Sequence, residues 1–134
     1  MIEIEIPMPY YKKGEALMSM NIYRNMMGIA LNNFKKKYGK QLAEVLKELD
    51  PIETPIQLTY IIVFKGARRR DTNNIASMID KVFSDVLTQL KLIPDDNYEF
   101  VPISKFIGLG NGTEHRCIVK ISKADISQYL CYVV

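Results

Sequence analysis

The chain has 134 residues, the length of a single domain spanning 1–134, and 48% of them are hydrophobic, enough to bury a core. Its formal net charge of +3 excludes a polybasic arm, and its single histidine, His115, leaves acid–base or metal chemistry to carboxylates, lysines and water. Cys117 and Cys131 form neither a metal-ligand spacing nor a secreted disulfide framework, the opening "MIEIEIPMPYY" is not a signal, and no apolar run approaches a membrane span, so a reduced, cytoplasmic chain is expected.

"MIEIEIPM" alternates Ile2, Ile4 and Ile6 with Glu3 and Glu5, the pattern of a strand with one wet face. Pro7, Pro9 and Gly14 end it. From about Ser19 to Leu49 the apolar spacing becomes helical, through Ile22, Met26, Ile29, Leu31, Phe34, Leu42, Val45, Leu46 and Leu49, with Gly39 as a point of interruption. Asp50-Pro51 and Pro55 stop that helix. "IQLTYIIVFKG" is β-branched and aromatic, and its run from Tyr60 to Phe64 predicts a central strand buried on both faces. A second helix is expected from about Thr72 to Leu90. "YEFVPISKFIG" and "EHRCIVKIS" follow as strands, and "LGNGT" between them carries the Gly/Asn signal of a hairpin. The tail "SQYLCYVV" fits a short strand or a final turn. The order strand–helix–strand–helix–strand–strand defines an α+β domain with helices packed on a small mixed sheet.

The chemistry concentrates in "RRRDTNNIASMIDKVFSDVLTQLKLIPDDNY". On a wheel of about 100° per residue, Ile75, Ile79, Val82, Val86 and Leu90 share the core face. Asn74, Lys81 and Asp85 fall in a line at its margin, with Ser77 beside them, where they can wall a cleft. Asp71 stands at the helix start, as an N-cap, a metal ligand, or both, since a carboxylate has two oxygens. Asp95 and Asp96 have the composition of a turn, yet adjacent carboxylates are favoured together when a cation or an arginine lies between them. Arg68, Arg69 and Arg70 suit a solvated loop or a row of phosphate oxygens. Arginines directly before a carboxylate cluster suit a phosphodiester cut with metal assistance. Lys81 can stabilise the leaving oxygen, or pair with Asp85 at i, i+4.

"RRRD-x-x-N" on a strand-to-helix turn, "D-x-L" late in the helix and "I-P-D-D" after it resemble the RusA family of Holliday junction resolvases, and "SMNIYRN" is similar to that family's early Asn/Tyr/Arg segment. The resemblance implies a RusA-like fold and a homodimeric, Mg²⁺-dependent endonuclease (Mn²⁺ as substitute) of phage or prophage type. Such an enzyme binds four-way DNA junctions and nicks two strands symmetrically. It implies Asp71, Asp95 and Asp96 as catalytic metal ligands, with Asn73 and Asp85 beside them, and Asn74 as the motif's asparagine. Asp85 has a helix-packing role as its alternative. This chain departs from the family where Asn73 replaces a second aspartate and Ser77 a lysine, for which Lys81, one turn on, can substitute. The segment between Asp71 and the Asp95-Asp96 pair is also a few residues longer. A catalytically weak or inactive binder of branched DNA is the alternative these departures leave open. Lys12 and Lys13, with Lys35, Lys36, Lys37 and Lys40, would extend a phosphate-binding surface. Tyr10 and Tyr11 would stack on opened bases or pack against the protein. The exposed face of the first helix or the N-terminal strand edge is the candidate dimer contact.

Overall fold

The computed structural model describes residues 1–11 and 16–133. The first strand, β1, covers Ile2–Ile6, and its burial alternates as its sequence does: Ile6 is buried while Glu3 and Glu5 are exposed. The expected single helix from residue 19 is two. Helix α1 is Met20–Asn25, capped by Ser19, whose Oγ accepts from the Ile22 N–H at 3.2 Å. Helix α2 is Gly28–Leu46. Between them Met26 and Met27 are extended, and Gly28 enters α2 at φ +35°. The apolar stripe of α2 begins only at Phe34 and continues through Tyr38, Leu42 and Leu46 at four-residue spacing. Met27 and Ile29 are 82% and 80% exposed, so nothing buried holds a straight helix across the join. Gly39 lies inside α2 without interrupting it.

The next strand, β2 (Ile56–Lys65), is central, as its composition indicates, but only one of its faces is fully covered. Ile56, Leu58, Tyr60, Ile62 and Phe64 are at most 4% exposed, whereas Ile61 and Val63 on the opposite face are half-buried. Helix α3 (Thr72–Gln89) runs back across the covered face, followed by β3 (Ile103–Gly112), β4 (Arg116–Lys123) and a short 3₁₀ segment, η1 (Ser127–Tyr132).

The sheet order is β1-β4-β2-β3. β2 pairs with β3 in parallel (Tyr60 with Phe106) and with β4 antiparallel (Tyr60 with Val119). The expected hairpin between the last two strands is therefore absent. They flank β2, and "LGNGT" lies partly within β3, with only residues 113–115 left to cross over the end of β2. The apolar β2 takes both neighbours because its backbone groups are buried and must be paired on both edges. The result is an α+β fold with a small mixed sheet and helices against one face. Among the described residues no helix is long and apolar enough to cross a membrane.

Candidate nucleic-acid interface

β2 ends at Lys65, and the chain then turns through Gly66, at φ +73°, into the three arginines and the start of α3. Asp71 is the N-cap: its Oδ1 accepts from the Asn74 N–H at 3.3 Å. Capping engages one oxygen of an exposed carboxylate, so the two roles considered for Asp71 remain compatible. Asn73 is exposed beside it, and its carbonyl accepts from Ser77 Oγ at 2.5 Å. Asn74 points across to α1, where its Oδ1 accepts from the Asn21 N–H at 3.1 Å. The start of α3 is thereby tied to the start of α1.

The arginines are not equivalent. Arg68 and Arg69 are exposed, while Arg70 is half-buried with its Nε out of solvent and, among the described residues, without a hydrogen-bond partner. Two hollows meet along this row. One, of about 260 Å³, is lined by the arginines with Ser19, Asp71 and Asn74. The other, of about 390 Å³, lies between the arginines and the glycine-rich end of β3, at Gly108, Gly110 and Asn111. Those glycines permit the approach: a Cβ on Gly108 would collide with the Thr72 hydroxyl in the first turn of α3. Asn111, at φ +62°, bonds through its N–H to the Gly66 carbonyl at 2.8 Å and joins the two turns. The pattern G-L-G-N-G was legible as a turn signal; its closeness to the arginines depends on the parallel pairing of β3 with β2.

A second polar group lies along α3. Tyr60 Oη donates to Asp80 Oδ1 at 2.7 Å, and Ser84 Oγ donates to the same oxygen at 3.3 Å. Burial pushes the Asp80 carboxyl above its ordinary value, while these two hydrogen bonds hold it down. Asp80 is the residue that sequence reasoning missed. The available signal was Tyr60 itself, since a tyrosine in a fully apolar strand face needs a partner for its hydroxyl. Asp96 is also raised, first by desolvation, then by its hydrogen bond with Asp95 and by the charge of Asp85, and it acts in turn on Asp80. Asp95 closes a local turn, accepting from the Asp96 N–H at 2.8 Å and from Asn97 Nδ2 at 3.1 Å. Lys81 and Asp85 act with opposite sign on the Tyr23 hydroxyl, whose pKa burial raises most.

The acids thus fall into two groups. Asp96 lies within electrostatic reach of Asp80 and Asp85 on α3, whereas Asp71 lies at the helix start, about 14 Å from Asp80 and about 21 Å from Asp85 along the axis at 1.5 Å per residue. The single pocket expected for Asp71, Asp85, Asp95 and Asp96 is not formed within one protomer. Among the described residues, no three histidine, cysteine or acidic side chains are arranged to hold one metal ion. Lys12 and Lys13 lie outside the described residues. The Lys35, Lys36 and Lys40 side chains line a hollow on α2 away from the arginines.

No protein-family model matches this chain, and no curated protein is similar to it in sequence.

Proposed function

We propose that this chain is a structure-selective endonuclease of the RusA type, which binds four-way DNA junctions and resolves them by paired, Mg²⁺-dependent phosphodiester hydrolysis. The observation that carries the reading is the Arg70 guanidinium, held partly out of water with its Nε unpartnered among the described residues, one residue from an exposed N-cap carboxylate. A buried, unpaired donor is costly, and a phosphate oxygen would satisfy it with a charge-assisted bond. Arg68 and Arg69 provide two further forks along the same edge.

The donor chemistry at this end fits a hard divalent cation. Such ions bind through one or two carboxylates together with substrate phosphate, and here Asp71 offers the carboxylate and Asn73 a neighbouring amide oxygen. When bound, the ion supplies charge neutralisation at the scissile phosphate and hydroxide near neutral pH. Arg70 orients the phosphate, Asn74 fixes α1 against the site, and the α3 N-terminus adds its positive dipole end toward the bound anion. Lys81 lies further along α3, where its ammonium can meet a second phosphate. A symmetric pair of cuts calls for two copies related by a two-fold axis. Apolar surface for such a contact is present at Ile107 and Leu109 on the helix-free sheet face and at Leu130, Tyr132 and Val133 near the C-terminus, all at least 42% exposed.

The separation of Asp71 from the other acids favours a second reading, a branched-DNA binder that does not cut. The deciding assay incubates an immobile four-way junction and a linear duplex with the protein, with and without Mg²⁺. Paired nicks in the junction alone support the endonuclease. Selective binding without nicks at any Mg²⁺ or Mn²⁺ concentration selects the binder, and Asn73→Asp should then raise cutting if missing charge is the cause.

A further inference from the structure

We infer that the hollow between α1, α2 and Tyr10-Tyr11 is a binding site for an unpaired nucleobase, drawn from the DNA strand that the arginine row contacts. The inference rests on the reading of that row as a DNA contact. The hollow, about 750 Å³, lies on the α1 side of the domain. Its floor is apolar, from Ile22, Met26 and the buried Phe34. Tyr10 and Tyr11 form an aromatic wall, while Asn21, Asn25 and Asn33 contribute three carboxamides and Lys37 a positive charge. No acid lines it.

That combination is selective in its chemistry. A nucleobase has two apolar faces, which stack on tyrosine rings, and an edge of alternating donors and acceptors. A carboxamide is uncharged and holds a donor and an acceptor side by side in one plane, so it can pair with such an edge. Lys37 suits the phosphate that must accompany the base.

Parts of the site are held before any ligand arrives. The Asn25 amide donates to the Asn21 carbonyl at 2.8 Å, which fixes its plane. The Tyr10 ring lies 6.4 Å, centre to centre, from the His115 ring, and His115 Nδ1 accepts from the Lys65 N–H at 2.9 Å. The wall is thereby anchored to the end of β2 from which the arginine turn departs. Asn21 is the second link: it lines the hollow while its N–H binds Asn74, three residues from Asp71. The base site and the arginine row are therefore adjoining parts of one surface, as a base turned out of a branched strand would require.

The test titrates isotope-labelled full-length protein with a mixed-sequence single-stranded tetranucleotide and with an abasic analogue carrying the same phosphates, reading the side-chain amide resonances of Asn21, Asn25 and Asn33. The expected result is saturable shifts of those amides with the base-bearing strand only. Tyr11→Leu and, on an exposed position that leaves the core untouched, Asn33→Ala should each weaken binding about ten-fold. Unmoved amides at saturating tetranucleotide, or equal shifts with the abasic strand, would overturn the inference. Junction nicking is scored separately: amide shifts without nicking sink the endonuclease reading and leave the base site standing, and nicking with unmoved amides does the reverse.

Discussion

Replacing Arg70 by methionine should raise stability and lower DNA affinity together. The Arg70 Nε is buried and has no hydrogen-bond partner among the described residues. An unsatisfied buried donor costs about 1–3 kcal/mol, and the low end applies because the rest of this half-exposed guanidinium keeps its water. Methionine retains an unbranched apolar stem, so the packing beside Leu17 and Ser19 survives. Arg70→Met should therefore gain about 1 kcal/mol in urea unfolding at neutral pH. On DNA it removes one phosphate contact, so the slope of log affinity against log salt should shrink by about 0.9, with affinity about ten-fold lower at moderate salt. Fluorescence anisotropy on a labelled junction across a salt series measures both. A variant less stable than the parent would mean that Arg70 is satisfied in the free protein. An unchanged salt slope would remove Arg70 from the DNA interface.

Asn caps a helix as well as Asp does, so Asp71→Asn should leave urea stability within about 0.5 kcal/mol while abolishing Mg²⁺-dependent nicking. Tyr60→Phe keeps the edge-on contacts with Phe83 and Phe106 but deletes the hydrogen bond to Asp80, and should cost about 1 kcal/mol at neutral pH. The folded-state pKa of Asp80 is raised above 3.8, so its contribution is fully present below that value and is lost as pH rises through the folded pKa. Asp80→Asn should flatten that fall in pH-resolved unfolding curves, and Tyr60→Phe should carry it to higher pH. Cys117 is buried with its thiol pushed up to about 12, whereas Cys131 is exposed, so iodoacetamide under native conditions should label Cys131 alone, as peptide mapping would report.

Periodicity made much of this fold legible. The alternation of β1, the apolar run of β2 and the wheel of α3 each predict an element that is present. The Asp71 cap was readable too, because an acid before the first apolar repeat is a local signal. Pairing was not readable, since it is a choice among partners distant in sequence. "LGNGT" has the composition of a hairpin, yet the two strands it separates each pair with β2, and the glycines serve closeness to α3 instead. The break between α1 and α2 escaped because Met26, Met27 and Ile29 continue the helical spacing while only Met26 packs against the core. At the site, the carboxylates were identifiable by type, but whether Asp71 meets Asp96 depends on the length of α3, which sets them apart within one protomer.

On the proposed function, the arginine row and Asp71 form the part of the molecule that grips and cuts branched DNA. The most direct test is to follow an end-labelled immobile junction with the parent protein and with Asp71→Asn, in Mg²⁺ and in chelator. The expected result is symmetric nicks on opposing strands that require both Mg²⁺ and Asp71, with binding retained by the variant. A junction left intact by saturating parent protein in Mg²⁺, or cut equally well by Asp71→Asn, would contradict it.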